Sequence, residues 1–172
     1  MILTWKKITD IENSLIDFIQ SGITVDSLQL LDSNGIAQNV NIYAGRELNN
    51  NWNLPLIQIY FDSNPDLSRL EIGSNKRLKS WLIIIDIRTL LPGQETNLAN
   101  WTEELINDGF PVYTYTPNSL NPQVPVKSLL GHARVDFITS ALVPVFDDSD
   151  VFDKYRYRIG IKVWINKKEL SC

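Results

Sequence analysis

The stretch Tyr155-Arg156-Tyr157-Arg158-Ile159-Gly160-Ile161-Lys162-Val163-Trp164-Ile165-Asn166 decides the reading of this chain. Tyr155, Tyr157, Ile159, Ile161, Val163 and Ile165 alternate with Arg156, Arg158, Gly160, Lys162, Trp164 and Asn166, the period of two that belongs to a strand with one buried face. A strand needs partners. The segment Arg134 to Phe146 precedes it across an acidic loop and supplies Val135, Phe137 and Ile138, so the two predict a long antiparallel pair. Pro144 implies an edge position or a bulge near the end of the first arm.

Further strands follow from the same logic. Pro55 to Asp62 reads as one, and Leu78 to Thr89 as a longer one, with Trp81, Ile83, Ile85 and Ile87 on one side and Leu82, Ile84, Asp86 and Arg88 on the other. Both sides of that strand are partly apolar, so it needs cover on both. A short strand is expected around Val40 to Ala44, after the turn Asp32-Ser33-Asn34-Gly35. Ser63 to Arg77, with Pro65 and Gly73, reads as an extended excursion. Thr116 to Pro125 reads as a proline-rich loop.

Two helices complete the inventory. The first is expected from about Asp10 to Ser21, capped by Thr9 with Glu12 as box partner and stopped by Gly22, burying Ile11, Leu15, Phe18 and Ile19. The second is expected from about Asn97 to Asp108, capped by Thr96, with Leu98, Trp101, Leu105 and Ile106 as its buried stripe. Strand, helix and Phe110 to Tyr115 look like a crossover unit that lays this helix on one face of the sheet. The prediction is an α+β fold: a single domain over residues 1–172, with a mixed, mostly antiparallel sheet and about two α-helices on one face.

Composition narrows the function classes. The 172 residues carry one His, one Cys and a net charge of −4. That excludes zinc clusters and intrachain disulfides, and argues against a dedicated nucleic-acid binder. No apolar run approaches the ~20 residues of a membrane span, and the amino terminus lacks signal-peptide order. His132 is the sole imidazole base, and it reads as a structural residue at the start of a strand. Asp147, Asp148 and Asp150, with Asp153 beyond, lack the glycine and distant glutamate of a calcium loop and read as a charged hairpin loop. No catalytic, cofactor-binding or metal-ligating residue emerges.

The charges are segregated. Ile8 to Gly45 holds Asp10, Glu12, Asp17, Asp26 and Asp32 without a base, whereas Arg156, Arg158 and Lys162 lie together on the last strand and Arg69, Lys76 and Arg77 collect before the central one. Such a layout suits head-to-tail association into a ring, with these bases, Trp164 and the Asp147, Asp148 and Asp150 loop as candidate interface residues. Scattered solvated charge is the competing reading. On the electrostatic reading, reversing Arg156 and Arg158 to Glu weakens assembly and leaves the subunit folded. Trp52, in a loop, is a further candidate anchor.

The order of elements carries a resemblance. An acidic first helix, Leu54-Pro55-Leu56-Ile57-Gln58-Ile59-Tyr60, the strand to Arg88, the helix around Trp101 and the closing hairpin ending Tyr157 to Ile165 together resemble the tail terminator proteins of tailed bacteriophages. The resemblance implies a non-enzymatic virion protein of the neck, made in the host cytoplasm, that forms a hexameric ring. Its partners would be further copies of itself, the tail tube protein and the head–tail connector proteins, with DNA at most passing through the lumen. The segments Ser63 to Arg77 and Thr116 to Pro125 would be arms toward neighbours. No family residue maps individually. Another head–tail adaptor or a baseplate component is the alternative within the class; a small host hydrolase or ligand-binding protein is the alternative outside it.

Overall fold

A computed structural model describes residues 3–45, 53–62, 66–69, 77–121, 124–144 and 155–167. The elements run α1 (Leu3–Val25), β1 (Gln29–Leu31), β2 (Ala37–Asn39), β3 (Asn41–Ala44), β4 (Leu56–Phe61), β5 (Asp66–Arg69), β6 (Arg77–Arg88), α2 (Gln94–Ile106), β7 (Phe110–Thr116), β8 (Val126–Leu142) and β9 (Arg156–Lys167). Strands β1 and β2 form a small hairpin of their own. The others make a seven-stranded sheet in the order β3-β4-β6-β9-β8-β7, with β5 also on β6. Only β3 and β4 pair in parallel. The α+β architecture expected from the sequence is the one found.

The core lies between the sheet and both helices. Cross-strand rows align Ile57, Ile87 and Tyr157, then Ile59, Ile85 and Ile159, then Phe61, Ile83 and Ile161, so period two on each strand builds one apolar face. From α1, Ile11, Leu15, Ile19 and Ile23 settle on this face, and α2 adds Leu98, Ala99 and Ile106. The alternation read from β9 is the alternation observed, with Ile159, Ile161 and Val163 buried.

Several expectations are corrected. Helix α1 begins before Thr9 and runs through Gly22, so neither residue bounds it. It ends at Val25, and just beyond it Ser27 takes a left-handed φ of 51° while the Leu28 N–H donates to the Ile23 carbonyl. Gly22 serves packing: a Cβ there would lie 2.8 Å from Leu105 Cδ2 and 3.2 Å from Trp101 Cζ2 of α2. Helix α2 starts after Gly93, with φ 83°, rather than at Thr96. Glu95 turns its carboxylate back to accept the Gly93 N–H at 3.1 Å.

The segment between β4 and β6 is not wholly an excursion, because Asp66–Arg69 pairs with Arg77–Ser80 and extends the edge of β6. Strand β7 does not follow β6 as a neighbour; it runs opposite to β6 at the far end of the sheet, with the β9–β8 hairpin inserted between them. Strand β8 starts at Val126, earlier than Arg134, and ends before Pro144. A bulge in it falls between Phe137 and Thr139.

The β7 edge is covered. The Tyr113 N–H donates to Ser14 Oγ at 2.9 Å and the Tyr115 N–H to Asp10 Oδ1 at 3.3 Å, so two polar residues of α1 take up donors that an edge strand would leave open. Asp10 and Ser14 are themselves buried.

Candidate interaction surface

The helix-free face of the sheet carries the charged residues singled out in the sequence. The rows there read Leu56, Arg88, Arg156; then Gln58, Asp86, Arg158, Ala141; then Tyr60, Ile84, Gly160, Thr139. At their centre is Asp86, only 1% exposed. Arg156 Nη2 donates to its Oδ2 at 2.6 Å, Arg158 Nε to Oδ1 at 2.8 Å, Arg158 Nη2 to Oδ2 at 3.2 Å and the Tyr60 hydroxyl to Oδ2 at 3.1 Å. Burial pushes the Asp86 carboxyl upward, but the hydrogen bonds and charges of Arg158 and Arg156 outweigh it and hold the group below the usual carboxylate range. Desolvation, reinforced by the Asp86 charge, raises Tyr60.

These contacts change the reading of the basic stripe. Arg156 and Arg158 are not a free cationic face, because both guanidiniums are engaged by one buried carboxylate from β6. Reversing them to Glu would place two carboxylates against Asp86, so unfolding rather than a clean loss of assembly is expected. Lys162 stands in register with Asp136 on β8 and Leu82 on β6, while Trp164, half-buried, stands between Arg134 and Ser80. The sheet brings these four candidates onto one face and places an acid beside three of them. Arg69 and Arg77 are direct cross-strand partners in the β5–β6 pair. Lys76, Asp147, Asp148 and Asp150 lie outside the described residues, as do Trp52 and Asp153.

The acidic helix makes contacts of its own, in more exposed positions. Asp17 of α1 accepts from Lys127 Nζ and from the Tyr115 hydroxyl, each at 2.6 Å, and Lys127 also lies 5.7 Å from the centre of the Tyr115 ring. Asp26 accepts the Trp101 indole N–H at 2.8 Å. The Arg156 and Arg158 charges are thus engaged inside the subunit, whereas the acidic side has one exposed ion pair and a neutral donor, so the basic stripe is a weaker source of long-range attraction between copies than the sequence implies.

Two surfaces stand out beyond the charged candidates, the first of them at the arm where Pro144 implies an edge position or a bulge. The outer edge of β8 from Arg134 to Leu142 faces no described strand, since β7 pairs only with Val126 to Ala133. Phe137, Ile138 and Leu142 are exposed there, the last two by 53% and 57%. The edge expected from Pro144 is thus present; what sequence reasoning missed is that its apolar side chains are exposed. The second surface is a cleft of about 630 Å³ along β3, bounded by Gln20 and Ile23 of α1, Gln29, Asn39, Asn41 and Tyr43. Among the described residues its lining holds amides, hydroxyls including the Tyr43 phenol, and apolar groups, with no carboxylate, imidazole, thiol or amine.

His132 is exposed on β8, in register with Pro111 and Asn166, and no nucleophile–base pair involving it occurs among the hydrogen bonds of the described residues. No group of three or more His, Cys, Asp or Glu suited to a metal ion occurs among the described residues, and no described helix is long and apolar enough to cross a membrane. No protein-family model matches the chain, and no curated protein matches it.

Proposed function

We propose that this chain is a structural subunit of the neck of a tailed bacteriophage, a tail terminator that forms a ring on the tail tube and joins it to the head connector. It acts by shape and contact, without making or breaking covalent bonds, and works in the virion after assembly in the host cytoplasm. The resemblance in element order supports this, and so does the arrangement of a mixed sheet with both helices on one side. The observation that carries it is the surface left over by that arrangement. The sheet carries a stretch of β8, Arg134 to Leu142, that pairs with no strand on its outer side among the described residues and shows exposed apolar side chains, next to a helix-free face whose buried Asp86 engages Arg156 and Arg158. Such surfaces fit protein–protein contact. The alternative of a small hydrolase or ligand-binding enzyme finds less support, because the described lining of the cleft along β3 offers the Tyr43 hydroxyl but no carboxylate, imidazole, thiol or amine.

The test is to mix the purified protein with tail tubes of its own phage and examine the ends by negative-stain electron microscopy. A ring seated on one tube end is the expected outcome. Tubes that stay bare and keep lengthening refute the terminator role, and rings found only at the opposite, baseplate end assign the protein to that structure instead.

A further inference from the structure

The sheet has an unequal set of edges. Ser14 and Asp10 of α1 occupy the donors of β7, so no strand can add there. The Arg134 to Leu142 edge of β8 is different. Val143 N–H donates to the Arg156 carbonyl at 2.9 Å, and the alternation of an antiparallel ladder then directs the backbone groups of Ser140 and Leu142 away from β9. Thr139 to Leu142 carries no charge of the kind that guards exposed edges. At the other end lies β3, and beyond it is the open cleft rather than another described strand. Asn41 N–H bonds to the Pro55 carbonyl and Gly45 N–H to the Ile59 carbonyl, so Ile42 and Ala44 direct their backbone groups outward. Asn41 to Ala44 is likewise uncharged.

We infer that the β8 edge of one copy takes up the β3 edge of the next copy as an added antiparallel strand, and that this is the contact that closes the ring. The occupant follows from strand polarity. In sheet order, β3 runs opposite to β8. A neighbour generated by rotation about an axis along the strands keeps these directions, so β8 and the next β3 meet antiparallel. Each copy then offers one edge and receives the other, which is the head-to-tail arrangement a closed ring requires. Pairing also shields Leu142 and Ile138, whose exposure is otherwise unexplained. This inference rests on the ring reading above.

Complementation tests it. Leu142→Pro removes an outward N–H from β8 together with its apolar side chain, and Ala44→Pro removes an outward N–H from β3; neither position donates to the strand it already pairs with. Circular dichroism and thermal melting establish that both variants fold, and Ile138→Lys is the second β8 variant should Leu142→Pro melt early. Size-exclusion chromatography with light scattering then reads assembly. Wild type is expected to assemble with rising concentration, and each variant alone to need about tenfold more protein or more. Mixed one to one, the two variants should give a heterodimer and nothing larger, because only one intact pair of edges remains.

Wild-type rings indifferent to both substitutions overturn the edge assignment and leave the ring reading standing. Dimers formed by the Ala44→Pro variant alone show a two-fold β8–β8 contact and overturn it as well. Wild type that stays monomeric throughout, and also fails to cap tubes, overturns the ring reading itself.

Discussion

Replacing Asp86 by Ala removes the buried carboxylate that both Arg156 and Arg158 engage on the helix-free face. Breaking a buried ion pair from one side costs roughly 3–5 kcal/mol, because the surviving charge stays desolvated. Arg158 is 41% exposed and can turn toward water, whereas Arg156 is 17% exposed and cannot do so as readily. The expected loss is therefore at the low end, about 3 kcal/mol. For a chain of this length that lowers the melting temperature by about 6–12 °C. Replacing all three partners by apolar residues of similar size should recover much of the loss, since a well-packed apolar cluster often matches a buried ion triad. Urea unfolding of Asp86→Ala, Asp86→Leu with Arg156→Met and Arg158→Met, and wild type measures this. The pH dependence has a fixed sign. The folded-state pKa of Asp86 lies below its unfolded value, so its contribution is present above about pH 4 and is lost as pH falls through the lower folded value. An Asp86→Asn curve should lack that acid slope. A loss below about 0.5 kcal/mol for Asp86→Ala, typical of a surface pair, would refute the assignment of this cluster as a rigid internal layer.

Three further outcomes are expected. Ser14→Ala should cost about 1–3 kcal/mol by leaving the Tyr113 N–H without its acceptor, and hydrogen exchange at Tyr113 should accelerate while that at Ile161 changes only with global stability. Burial and the hydrogen bond to Asp17 push Tyr115 up to about 12, so its stabilisation is complete below the ordinary value near 10 and is lost as pH rises through about 12; the tyrosinate absorbance difference between wild type and Tyr115→Phe should appear only near the upper value, and an onset near 10 would contradict the contact. Gly160→Ala would bring a Cβ within 2.5 Å of Thr139 Oγ1, so it should destabilise by about 1–3 kcal/mol, with Thr139→Ala restoring most of the loss in a double-mutant cycle; simple additivity would show the crowding to be unimportant.

The parts of this fold legible in the sequence are those governed by local pattern. The alternation is enforced by burial of Ile159, Ile161 and Val163 at its centre, so strand β9 and its core face could be read directly. The same holds for β4 and β6. Thr9 and Gly22 look like helix punctuation, yet α1 runs through both, and Gly22 serves the crossing of α2, which is decided by residues far along the chain. The neighbourhood of Asp86 was illegible because Arg158 reaches it only through the β6–β9 register, 72 positions away. A basic stripe in sequence became a neutralised layer in space. The edges of β8 and β3 depend likewise on which strands fail to meet them, information that topology alone supplies.

Strand β9 is the last in chain order, yet it sits in the middle of the sheet, holding β6 on one side and β8 on the other. On a ribosome, everything from α1 to β8 emerges before the piece that unites the two halves, and those halves wait with open ladders. Translation therefore acts as a timer: the seven-stranded sheet cannot be finished until Arg156 to Lys167 has left the exit tunnel.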